Sequence, residues 1–252
     1  MNVLEHTTIG EYVAKDFRTA SVFSKYGIDF CCKGNRTIEE ACEKKNLDFT
    51  QIENEVAQLL ETKSDGAIDF KSWPTDLLID YIEKTHHRYV EEKSAILLSF
   101  LYKLCKVHGY NHPELFEINE LFKGCASELA QHMKKEELIL FPFIKKMENA
   151  IRTNQAIEQP HFGTVENPIA MMQEEHLTEG DRFVKIAALT NNYAPPSDAC
   201  NTYKVTFSML QEFEEDLHKH IHLENNILFP KAMEMESQLC NAILSLNQLH
   251  SS

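Results

Sequence analysis

The chain has 252 residues, a formal net charge of −14, 43% hydrophobic residues and 25% charged residues. That length allows one large domain, or a large and a small one, with a core that needs no disulfide framework to reach folding size. The negative balance argues against partners that require basic patches, namely the phosphate backbone of nucleic acid and an anionic membrane surface.

Only eight glycines and eight prolines occur, which favours helices over a strand-and-turn architecture. No apolar run approaches the ~20 residues of a membrane span, and the opening residues do not read as a signal peptide. Seven cysteines, an odd count without framework spacing, suit a reducing compartment. A cytoplasmic protein without nucleic-acid or membrane partners is expected.

Residues 1–62 read as a small helical domain. Capping-box patterns at Thr8-x-x-Glu11, Thr37-x-x-Glu40 and Thr50-x-x-Glu53 predict three helix starts. The expected helices cover 9–15, 18–26, 38–45 and 51–61, with Gly27 capping the second. Between the second and third lies a loop carrying Cys31 and Cys32. Adjacent cysteines rarely pair with each other. A neighbouring Lys33 and a nearby helix start would favour thiolate. A redox or metal-handing dithiol and two small side chains packed under a loop are the alternatives.

Residues 63–73 lack a helical stripe, contain Gly66 and read as a linker. Pro74 then suits the first turn of a helix. The first bundle helix is expected over 75–107, with Leu77, Leu78, Tyr81, Ile82 and Tyr89 at helical spacing. His86 and His87 fall within it. Neighbours on a helix point about 100° apart, so only one of the two can face the bundle axis well, and the pattern does not choose between them. A turn follows at Gly109–Pro113.

The second bundle helix, expected over 114–150, carries Glu128-Leu129, then His132-x-x-x-Glu136, then Ile139-Leu140-Phe141-Pro142. Pro142 should kink it or end its regular part. An irregular connection at 151–165 includes His161, read as a surface residue. The third helix, 168–191, carries His176 beside Met171 and Met172, read as core filler. The fourth, 197–234, repeats the frame of the second: Asp216-Leu217, then His220-x-x-x-Glu224, then Ile227-Leu228-Phe229-Pro230. His218 and His222 point elsewhere, since residues two apart lie on different faces. Residues 237–252 form an amphipathic tail that suits docking on the bundle or a homodimer contact.

Residues four apart share a helix face, so each His-x-x-x-Glu aims an imidazole and a carboxylate at one point. A lone histidine precedes each copy by nearly the same interval. One copy alone is an ordinary polar pair on a solvated helix. Two copies in a repeated apolar frame supply four histidines and two glutamates, enough for two metal ions with two imidazoles each and both carboxylates bridging. That donor set fits two six-coordinate irons best, with dizinc or dimanganese as alternatives.

Together, Phe30-Cys31-Cys32, His87, His108, His132-x-x-x-Glu136, His176 and His220-x-x-x-Glu224 resemble the haemerythrin-like domain. With the cysteine loop added, the chain is similar to the ScdA-type repair-of-iron-centres proteins from Ile9 to about Met233. The resemblance implies an all-α protein in four parts. These are a cysteine-bearing domain (1–62), a linker (63–73), an up-down four-helix bundle (74–236) and a helical tail (237–252), the chain departing from the family in that tail and in its longer 151–165 connection. It also implies a bridged centre of two non-haem irons held by His87, His132, His176 and His220, with Glu136 and Glu224 bridging. His108 matches a family position of open role.

The implied function is repair of iron–sulfur clusters damaged by nitrosative or oxidative stress, by iron donation. Iron–sulfur proteins would be the clients and nitric oxide or oxygen the small ligands. Cys31 and Cys32 would take part in redox chemistry or in transfer of iron or nitric oxide. The alternatives are a di-iron nitric oxide reductase, which would make the protein an enzyme, and an oxygen or nitric oxide carrier or sensor.

Overall fold

The computed structural model describes residues 7–62 and 68–249, except the side chains of 242–249. Four short helices come first: α1 (Ile9–Lys15), α2 (Thr19–Lys25), α3 (Ile38–Lys45) and α4 (Phe49–Glu61). The capping boxes at Thr8 and Thr37 form as expected. The third pattern does not. Asp48 caps α4 by accepting the Gln51 N–H at 3.2 Å, so Thr50 falls inside the helix. Gly27 ends α2 at φ 61°, a left-handed conformation that side chains rarely adopt.

Residues 63–67 of the expected linker lie outside the described residues. The remainder is packed: Phe70 is buried, its ring 4.9 Å from Trp73 and 5.1 Å from Tyr81.

Four long helices follow, over 75–108, 114–153, 166–189 and 201–249. Three of them contain a wide π-helical turn, at Ile82–His87, Glu136–Leu140 and Glu224–Leu228. Such turns re-aim side chains and recur at functional sites. The second and third are each followed by Phe-Pro. Proline lacks the N–H that an α-helix would use four residues back, and its ring crowds that carbonyl. The wide turn takes up both mismatches, so Pro142 and Pro230 do not end their helices, which run on to Thr153 and Leu249.

The tail is therefore continuous with the fourth bundle helix. Leu239 is buried, whereas the side chains of Ile243, Leu246 and Leu249 lie outside the described residues. Met172 is core as expected, but Met171 is 44% exposed.

The buried apolar residues form two clusters. One includes Phe122, Phe183 and Phe213 and extends into the N-terminal helices; the other includes Ile82, Phe141, Met172 and Phe229. The six histidines and glutamates of the repeated frame lie in sequence between members of the two. The N-terminal helices dock on the fourth bundle helix, where Phe17 and Phe30 meet His222 at 5.8 and 6.1 Å.

Candidate metal centre

All six residues of the repeated frame converge. His87, His132, His176 and His220 are each at most 2% exposed, and Glu136 and Glu224 are fully buried. Their donor atoms fall into two groups that share both carboxylates: His87 and His220 with Glu136 and Glu224, and His132 and His176 with the same pair. Glu136 lies 3.4 Å from His87 Nε2 and 3.4 Å from His132 Nε2. Glu224 lies 2.9 Å from His220 Nε2 and 3.2 Å from His176 Nε2.

The outward nitrogens fix the tautomers. His87 Nδ1 meets Glu137 at 3.0 Å and His132 Nδ1 meets Glu175 at 2.8 Å. A carboxylate can only accept, so both Nδ1 atoms carry the hydrogen. His176 Nδ1 donates to Asn225 Oδ1 at 2.9 Å; that amide is oriented by its own Nδ2, which donates to the Cys31 carbonyl at 3.2 Å. In the neutral rings the inward Nε2 atoms of these three are thus free to be lone-pair donors, the arrangement that outer acceptors impose on metal-bound histidines.

This geometry tests whether the site fits a cation. His132 Nε2 and His176 Nε2 are 3.1 Å apart, so with both rings neutral and their hydrogens directed outward two lone pairs face each other, and without a cation one ring must take up a proton. Both Glu136 oxygens, Glu224 Oε2 and His87 Nε2 are buried without a hydrogen-bond partner. Leaving ionised carboxylates buried and unpaired costs several kcal/mol each. Metal ions between the four rings would satisfy every one of these atoms, so the residues fit a dimetal site.

Electrostatics agree. Burial disfavours charge on His87, but Glu136 and Glu224 outweigh it and hold the imidazole up at about 10. His132 is likewise raised to about 10, against burial, mainly by Glu136. Burial and mutual repulsion would raise both glutamates. His132 and His87 nevertheless pull Glu136 below its usual range, and His220 and His176 pull Glu224 well below it. The pocket is built for positive charge.

Both adjacent histidines are buried, at 1% exposure, and only one of them turns to the glutamates. Within the π turn His87 faces the glutamates, while His86 Nδ1 meets Asp216 at 2.9 Å and its ring stacks on His220 at 5.7 Å. His222 is also buried, turned toward the N-terminal helices and 3.1 Å from Asn226 Nδ2. His108 stands apart, roughly 30 Å along its helix from His87. There its Nε2 lies 3.3 Å from Cys200 Sγ. His161 is exposed, as expected.

Cys31 and Cys32 rest against the bundle, with Cys32 Sγ 3.5 Å from the His176 carbonyl. The expected push toward thiolate is not found at Cys31. Its thiol is held well above the usual range by the hydrogen bond with Cys32, by burial and by the Asp29 carboxylate. Lys33 is exposed, and the following helix begins only at Ile38.

The sequence pattern does not single out Glu137, Glu175 or Asn225, nor the pairing of His86 with Asp216. The first three each neighbour one of the six in sequence yet orient a histidine on another helix. A polar residue flanking a ligand position was the available signal.

Two family profiles match the chain: the Hemerythrin HHE cation binding domain over residues 78–232, and ScdA_N, a domain of unknown function, over residues 5–60. Among relatives, the iron-sulfur cluster repair protein ScdA of Staphylococcus haemolyticus is 31% identical, covering 91% of this chain and 99% of its own. The iron-sulfur cluster repair protein YtfE of Escherichia coli O81 is 35% identical over 90% of this chain and 97% of its own. A probable iron-sulfur cluster repair protein of Haemophilus influenzae is 34% identical over 84% and 90%. No helix among the described residues is long and apolar enough to cross a membrane.

Proposed function

Because the chain belongs to the hemerythrin HHE family, in the form that carries an N-terminal ScdA_N domain, we propose that it repairs damaged iron–sulfur clusters by donating iron. The observation that carries this reading is a pair of buried glutamates with three oxygens lacking a hydrogen-bond partner, set among four inward-facing imidazole nitrogens. His87 and His220 would hold one iron, and His132 and His176 the other, with Glu136 and Glu224 bridging. An all-nitrogen-and-oxygen donor set of this kind suits iron. Bound there, the pair would supply ferrous iron for delivery and a redox-active site for nitric oxide or oxygen.

The chain's own groups then have defined tasks. Glu137, Glu175 and Asn225 keep three imidazoles in the binding tautomer. Leu140, Phe141 and Phe229, all within 1% of fully buried, help exclude water. Nδ1 of His220 has no partner, so that ring is the least supported of the four. Asn225 ties the His176 ring to the Cys31 carbonyl, which supports a role for the two cysteines beside the centre. Iron–sulfur proteins are the clients and the cytoplasm the place of action.

The test is reactivation of a cluster enzyme inactivated by nitric oxide, with the anaerobic iron-loaded protein as sole iron source. Recovery of client activity, with matching loss of iron from this chain, is expected. No recovery refutes the reading. Sustained nitrous oxide formation over many turnovers without iron loss would make the protein a nitric oxide reductase instead.

A further inference from the structure

The loop bearing Cys31 and Cys32 is clamped from both sides. Asp29 Oδ1 accepts the N–H groups of Cys31 at 3.2 Å, Cys32 at 2.9 Å and Lys33 at 3.4 Å. From the bundle, Asn225 donates to the Cys31 carbonyl at 3.2 Å, and Asn226 donates to the Phe30 and Cys31 carbonyls at 3.3 Å. Gly34 closes the loop where nothing larger fits. A Cβ there would lie 2.4 Å from the Phe30 carbonyl and 2.9 Å from Asn226. The two thiols project from this frame with their sulfurs 3.7 Å apart. Cys31 Sγ lies 3.5 Å from Asp29 Oδ1.

That spacing separates the two readings of the dithiol. A disulfide needs sulfurs about 2.05 Å apart and Cα atoms usually 4.4–6.8 Å apart. Neighbouring Cα atoms are only about 3.8 Å apart. Closing the bond would distort a loop whose peptide groups are already committed on both faces. Two thiolates on a tetrahedral ion, with metal–sulfur bonds of about 2.3 Å, place their sulfurs roughly 3.7–3.8 Å apart. The loop already holds that distance, and a carboxylate oxygen stands beside it. The donor atoms of Asp29, Cys31 and Cys32 all lie within 4.8 Å of one another.

We infer that Asp29, Cys31 and Cys32 form a binding site for a third, thiophilic divalent metal ion, separate from the histidine–glutamate centre. Binding makes two metal–sulfur bonds and releases two thiol protons to solvent, with no change of oxidation state. The site lies against the helix that carries His176, with Cys32 Sγ 3.5 Å from that residue's carbonyl. It is placed to hold an ion passing between the buried centre and solvent. This use rests on the repair reading; the existence of the site does not.

The experiment is anaerobic titration of the metal-free, full-length protein with cobalt(II) alone. The expected result is a near-ultraviolet thiolate-to-cobalt absorption band, with bound cobalt reaching about three ions per chain. Cys31→Ser and Cys32→Ser should each remove the band and lower the content to about two, with helical circular dichroism unchanged. Cys200→Ser and Cys240→Ser, at the two exposed cysteines elsewhere, should retain it. Absence of the band in the unmodified protein, or its survival in the Cys31→Ser/Cys32→Ser double variant, overturns the inference. Client reactivation is a separate measurement, so failure of repair leaves this result standing.

Discussion

Removing the Glu137 or the Glu175 carboxylate should each weaken one metal position and spare the other. Glu137 receives the Nδ1–H of His87, which belongs with His220; Glu175 receives that of His132, which belongs with His176. Each contact is a hydrogen bond to an ionised acceptor, contributing about 1.5–3 kcal/mol when shielded. Outer partners of metal-bound histidines typically change affinity by about 10–100-fold. The carboxylates are 24% and 34% exposed, and each also meets a lysine, Lys134 or Lys135. Solvent screening therefore places the effect near the lower limit, about tenfold or 1.4 kcal/mol.

Competition titration with a chromophoric chelator, resolved into two binding steps, measures it. Glu137→Ala should weaken one step and Glu175→Ala the other, and the double variant should weaken both. Gln at either position keeps an oxygen that can accept Nδ1–H, so it should lose less. If both single variants shift the same step, or neither shifts any, the paired-ligand reasoning is wrong.

Asn226→Ala should raise Cys31 alkylation several-fold while leaving the iron content of the histidine–glutamate centre unchanged, whereas Asn225→Ala should alter both, because it alone also orients His176. Labelling read by mass spectrometry, with metal analysis, distinguishes the two. Glu179 is 2% exposed, and burial raises its carboxyl above the ordinary 4.5. Its folded-state stability is therefore fully present below pH 4.5 and lost as pH rises through the raised value. Glu179→Gln should melt higher than the unmodified protein at pH 7 and level with it near pH 4; equal melting at both would refute this. Lys219 places its ammonium over Phe17, Phe70 and Tyr81, at 5.6, 5.5 and 5.7 Å, joining the N-terminal helices, the linker and the bundle. Lys219→Met should lose about 1–2 kcal/mol, seen as a lower urea midpoint.

Much of the centre was legible because a helix repeats every 3.6 residues, so spacing alone puts His132 with Glu136 and His220 with Glu224 on one face. The apolar frame around each copy marked both as buried. The π turns were not legible, since nothing local in Glu136–Leu140 differs from an ordinary helix former except the proline that follows. Without them only one of His86 and His87 was expected to face the axis, with no choice between the two, yet both are buried, His86 behind His220. The outer partners were hidden for another reason: Glu137, Glu175 and Asn225 serve histidines on other helices, and that adjacency exists only after packing. Cys31 is similar. Lys33 suggested thiolate from the sequence, but the fold turns Lys33 to solvent and sets Asp29 and Cys32 against the sulfur.

The central claim is tested most directly by metal analysis of protein purified anaerobically from iron-replete cells, beside the Glu136→Ala/Glu224→Ala double variant. The account predicts about two irons per chain in the first and nearly none in the second, both fully helical. Iron-free material, or iron retained undiminished without the two glutamates, would contradict it.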